Sequence, residues 1–142
     1  MSLTAFLKEN VLPAENVRFA PSDRFIGEDG KPVEWEIRAI TAAEDEEIRR
    51  ACTRRVPVPG KKNLRQPETD YDEYCVRLAA ACTVFPDLNS RELQDSWGVM
   101  GAENLLRVML KSGEFAEYIA RVQEICGYDR DVFSDEVEEA KN

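Results

Sequence analysis

The chain has 142 residues, 43% of them hydrophobic, and carries 28 acidic against 19 basic side chains for a net charge of −9. That length suits one domain over 1–142 with a core that needs no staples, while the lack of any histidine or CxxC pair excludes Ser-His and Cys-His chemistry and argues against a metal or other cofactor. No apolar run approaches the roughly 20 residues that span a bilayer, and MSLTAFLKEN lacks the features of a signal peptide, so a cytoplasmic protein with no membrane partner is expected.

Ser2 can cap a short helix over 3–9 with Leu3, Phe6 and Leu7 on one face. A connector containing Pro13 follows, and from Val17 the apolar period changes to two. This 17–40 region reads as a short extended piece near 17–20 and a β-hairpin of Arg24–Gly27 and Val33–Ile40. Its turn is Glu28-Asp29-Gly30, since Asp-Gly supplies the positive φ of a tight turn. In the second strand Val33, Trp35, Ile37 and Ala39 face one way and Glu34, Glu36 and Arg38 the other. A lone hairpin is marginal, so the Trp35 face should pack on helices.

Thr41-Ala42-Ala43-Glu44 has the capping-box pattern and opens a helix over 42–55, stopped by Pro57 and Pro59. Residues 56–69, VPVPGKKNLRQPET, hold three prolines and a glycine and read as an exposed, mobile, basic loop. Asp70 caps a helix over 71–84 with Tyr71, Tyr74, Cys75, Leu78, Ala79 and Cys82 on one face. A short helix from Ser90 to Trp97 ends at Gly98, a second runs from Gly101 to Leu110, and a third covers 113–126. Residues 128–142 form an acidic tail with a weak helical piece. The fold class is α+β, predominantly α-helical, with about six helices and one N-terminal β-hairpin packed on them.

The charge is uneven: residues 49–65 carry seven bases and no acid, while the rest of the chain is acidic. Arg54, Arg55, Lys61, Lys62 and Arg65 are the candidate basic contact, for an acidic protein partner or a sister copy. Nucleic acid is disfavoured, because no aromatic lies among them to stack on bases and the body repels phosphate. A solvated loop is the plain alternative.

The segment LQDSWGVMGAENLLRVML breaks an apolar helical run at Gly98 and Gly101. A DNA-reading helix-turn-helix needs bases on its second helix, and AENLLRVML has only Arg107. Two readings are left, a corner inside the core, or a groove for a partner helix around Trp97, Met100, Leu105, Met109 and Phe115. If the groove is open, Met109→Asp abolishes binding and leaves the fold intact. GEDG is too short for a phosphate cradle, and no enzyme motif is found.

The segments DRFIGEDGKPVEWEIRAIT and ACTVFPDLNSRELQDSWGVMGAENLLRVMLKSGEFAEYIARVQEICGYD closely resemble the XkdN-like phage tail assembly chaperones, found in long-tailed phages and defective prophages of Gram-positive bacteria. The resemblance runs in order from about residue 20 to 142. It implies a non-enzymatic role in which the chain binds and solubilises the tape measure protein and helps recruit major tail tube subunits. It also implies absence from the finished virion, and provides no catalytic residues. The rival readings are a structural tail completion or connector protein retained in the particle, and an acidic regulatory binding module. Self-association, through a sister copy's acidic tail, is a further expected contact.

Overall fold

Strand β2 (Trp35–Ile37) is the middle of a three-stranded antiparallel sheet, flanked by β1 (Val17–Phe19) and β5 (Thr83–Phe85). Its side chains alternate as expected: Trp35 and Ile37 are buried, and Glu36 between them pairs with Arg18 on β1 at 2.6 Å. In this computed structural model the described residues are 1–128, so the acidic tail, apart from Tyr128, lies outside them. The described residues form five α-helices and five short strands in two sheets, an α+β fold that is mainly helical.

The Asp29-Gly30 turn forms, with Gly30 at φ +77° and the Val33 N–H donating to the Phe25 carbonyl at 2.7 Å. Pairing there is limited to one bridge, Ile26 to Pro32, since proline offers no donor to extend a ladder. The second strand instead pairs Trp35 with Phe19 and Ile37 with Val17 on one side, and with β5 on the other. The N-terminal hairpin region is therefore present and packs its Trp35 face inward, but its ladder partners are β1 and β5.

The capping box opens α1 (Ala42–Ala51): the Glu44 N–H donates to Thr41 Oγ1 at 3.3 Å and the Thr41 N–H to Glu44 Oε1 at 3.2 Å. This helix ends four residues before the predicted boundary at 55. Thr53, β-branched, turns its hydroxyl back to the Arg49 carbonyl at 2.7 Å and begins a strand. The predicted loop over 56–69 is corrected as well. β3 (Thr53–Pro57) and β4 (Arg65–Thr69) form a regular antiparallel hairpin, with Thr53 opposite Thr69 and Pro57 opposite Arg65. Its prolines are tolerated because both strands are edges, with one side of each free of ladder bonds.

Asp70 caps α2 (Tyr71–Cys82) by accepting from the Glu73 N–H at 3.1 Å. This helix is central, packing Tyr74, Leu78, Ala79 and Cys82 against α1, α4 (Ala102–Met109) and α5 (Ser112–Ile125). Where the sequence reads as helix to residue 84, the chain instead turns straight into β5. Thr83 caps the change, donating to the Ala79 carbonyl at 2.8 Å and sharing a hydrogen bond with the Tyr118 hydroxyl. Tyr118 in turn meets Trp35 edge-on, ring centres 5.3 Å apart, and Phe19 at 5.9 Å, so aromatic contacts join sheet to helix.

α1 is held to this core by Asp45. Its carboxylate accepts from the Tyr74 hydroxyl, from Tyr128 at 3.2 Å and from Arg49 Nε at 3.1 Å. Burial, then the bond to Asp45, pushes the Tyr74 hydroxyl far above the usual tyrosine range, which keeps it a donor. The predicted helix over 3–9 is two 3-10 turns, Thr4–Phe6 and Lys8–Asn10, with exposed apolar side chains.

Candidate partner-binding surface

The Gly98–Gly101 corner lies between α3 (Arg91–Trp97) and α4. Gly98, at φ +68°, ends α3 in the left-handed conformation expected of it. Gln94 then braces the bend, accepting from the Gly101 N–H at 3.0 Å and donating to the Leu88 carbonyl at 2.8 Å. Asn104 donates to the Met100 carbonyl at 2.9 Å. Backbone and side chains thus fix the corner and leave the Met100 side chain standing out, 86% exposed.

The five apolar residues singled out around this corner are not gathered into one open groove. Leu105 is fully buried and Met109 is only 4% exposed; both belong to the core with Leu106, Tyr74 and Val122. Burying each such side chain stabilises the fold by about 2 kcal/mol, which assigns them to holding α4 in place. Trp97 and Phe115 are half-buried against that core. Trp97 meets Phe25 edge-on at 6.3 Å. Only Met100 presents its whole side chain.

The basic candidates lie on and around the β3–β4 hairpin. The base of this arm is fastened between α1 and α2 by the Asp70 N–H bond to the Cys52 carbonyl, 2.8 Å, and by the paired Thr53 and Thr69 hydroxyls, also 2.8 Å. Register puts Arg55 and Arg65 on one face, where each guanidinium reaches the other's backbone carbonyl, at 3.2 and 3.5 Å. Arg54 is on the opposite face, across from Glu68. Lys61 and Lys62 are in the connection, which turns through Gly60 at φ +76° and Asn63 at φ +67°. All five are exposed. The ion pairs given by Arg18, Arg24, Arg38, Arg49 and Arg77 all lie outside the arm, and none of its five cations forms one among the described residues.

A third surface escaped the sequence reading. Residues 1–16 are exposed throughout, and with them Leu3, Phe6, Leu7, Val11 and Leu12, of which Phe6 is 78% and Leu12 89% exposed. The i, i+3, i+4 spacing of Leu3, Phe6 and Leu7 was the available signal. It suggests a helix with a buried face, but spacing cannot tell whether the face is covered by the chain's own core. Beside α2, Ala80 and Ala81 floor a cleft of about 330 Å3 with Ala51 and Ala102, rimmed by Glu47 and Glu103. Among the described residues no helix is long and apolar enough to cross a membrane.

The family model of the phage XkdN-like tail assembly chaperone protein matches residues 3–141. The Bacillus subtilis (strain 168) protein YqbN is 30% identical over 141 residues, which is 99% of this chain and 93% of that protein. The phage-like element PBSX protein XkdN of the same organism is 27% identical over the same coverage. The crystal structure of YqbN matches with a TM-score of 0.76 at 25% identity, over 91% of this chain and 98% of that one. The chain belongs to the phage XkdN-like tail assembly chaperone family.

Proposed function

We propose that this protein binds the tape measure protein in the host cytoplasm, holds it soluble, and helps recruit major tail tube subunits around it, by binding and without catalysis. Within a family of tail assembly chaperones, the observation that supports this reading is the row of unburied apolar side chains on residues 1–16. A surface of that kind costs solubility unless a partner covers it. A long apolar-faced helix awaiting its tube has the matching need. Leu3, Phe6, Leu7, Val11 and Leu12, with Met100 at the corner, supply adaptable apolar contacts. Arg55, Arg65, Lys61 and Lys62 supply a separate charged contact for an acidic surface of a partner.

The test is co-expression with the tape measure protein of the same phage and affinity purification from the soluble fraction. The expected result is that the tape measure protein is soluble only in the presence of this chain and co-purifies with it. If it neither binds nor changes solubility, and this chain is instead recovered in purified particles, a structural tail component replaces the chaperone reading.

A further inference from the structure

Cys82 ends α2 and Cys126 caps the end of α5, separated by 44 positions in sequence, yet their sulfur atoms lie 3.6 Å apart. The remaining cysteines have other surroundings. Cys52 is buried at the end of α1, and Cys75 accepts from Gln123 Nε2 at 3.5 Å and is pushed up to about 11 by burial. The close pair is also asymmetric. Cys82 is fully buried, whereas Cys126 is half-buried.

The surroundings favour one sulfur as the nucleophile. Contact with the Cys82 thiol lowers the pKa of Cys126 and so favours its thiolate; the Ile40 backbone N–H and the Arg38 guanidinium add to this, and burial and Asp45 oppose it. The same contact, with burial, raises Cys82. A thiolate is therefore favoured at Cys126, the less buried of the two, with the second thiol 3.6 Å away.

We propose that Cys126 and Cys82 form a thiol–disulfide exchange site that accepts small open-chain disulfides and closes into a bond joining the ends of α2 and α5. In the first step the Cys126 thiolate, its proton given to water, attacks one sulfur of R–S–S–R. The S–S bond of the reagent breaks, a mixed disulfide forms on Cys126, and one thiolate leaves to take up a proton. In the second step Cys82, deprotonated to water, attacks Cys126 Sγ and expels the second thiolate. Two protein thiols are oxidised to one disulfide and one R–S–S–R is reduced to two R–SH. The sulfurs must close from 3.6 Å to about 2.05 Å. Cys126 sits at a helix cap rather than inside a turn of helix, so rotation of its side chain can supply that movement.

Oxidised glutathione is the probe, added to the full chain in graded ratios to reduced glutathione, with intact mass and peptide mapping as the readout. The wild-type protein is expected to lose two hydrogens, with the bond mapping to Cys82 and Cys126, and to unfold at a higher temperature once closed. Cys82→Ala is expected to accumulate glutathione on Cys126, because the resolving thiol is gone. Cys126→Ser is expected to form no internal bond and to leave Cys82 unmodified. A wild-type chain that keeps all four thiols, that stops at the mixed disulfide, or that bridges another pair of cysteines overturns the proposal. The wild-type measurement decides this even if a variant fails to fold.

Discussion

Arg24 and Met109 are joined by a 2.6 Å hydrogen bond from the guanidinium Nη2 to the backbone carbonyl, across 85 positions of sequence. Met109 is the last residue of α4, where a carbonyl has lost its partner within the helix and the helix dipole is negative. The same guanidinium lies 3.6 Å from Glu114 in the first turn of α5 and over the ring of Phe25 at 5.5 Å. One side chain thus ties the segment between β1 and β2 to two helices. Arg24→Ala is expected to cost about 1–2 kcal/mol in urea unfolding, at the lower end of charged hydrogen bonds because the side chain is 38% exposed. Arg24→Lys should recover only part of it, since an ammonium cannot span the same partners.

Because Met109 is core, Met109→Asp is expected to unfold the protein, not merely to block a partner. An unpaired carboxylate there destabilises by roughly 4 kcal/mol or more, a large share of the stability of a domain of this size. Circular dichroism and thermal unfolding of the purified variant check this. A folded variant with normal melting would show that the α4 face can open.

Local signals explain which parts of this fold were legible in the sequence. The Thr41–Glu44 box, the Asp70 cap, the Asp29-Gly30 turn and the Gly98 terminator each depend on a few adjacent residues, and each formed. What was missed depends on partners far along the chain. Thr83-Val84 continues a helical stretch in sequence, and with Phe85 becomes a strand because β2 offers an open edge. The prolines of 56–69 suggested a loop, whereas edge strands tolerate them. Leu105 and Met109 were recognised as one apolar face, but sequence spacing does not say what covers it; the core does. Met100, one residue from Gly101, lies off both helices and stays outside.

Acid should remove a defined part of the stability. The Arg38 guanidinium first, then the Thr41 N–H, holds the Glu44 carboxyl below its ordinary 4.5. Glu114 is lowered in the same direction, by the Lys111 N–H and then the Ser22 hydroxyl. A carboxylate depressed in the folded state contributes its stability above the unfolded value of 4.5 and loses it as pH falls through the folded value. Glu44→Gln is therefore expected to cost about 0.5–1 kcal/mol at pH 7, limited by solvent screening. The difference between variant and wild type should disappear near pH 2. A penalty that is equal at both pH values would assign Glu44 a role other than its charge.

The basic arm makes a different prediction, since its cations hold no ion pair among the described residues. Arg55→Glu with Arg65→Glu is expected to change stability by less than about 0.5 kcal/mol, as surface substitutions do. If the arm meets an acidic partner surface, the same change weakens binding tenfold or more and flattens its salt dependence. Titration calorimetry at two salt concentrations with the tape measure protein separates a contact from a solvated arm.

The most direct test is the affinity of the purified protein for a soluble fragment of the tape measure protein, comparing wild type with a Leu3→Asp, Phe6→Asp, Leu12→Asp triple variant. These side chains are exposed among the described residues, so the variant should match the wild type in circular dichroism and melting. The prediction is a loss of binding of at least about a hundredfold, near 2.7 kcal/mol, as for removal of apolar anchors. Unchanged affinity in a folded triple variant would contradict the claim that residues 1–16 hold the tape measure protein.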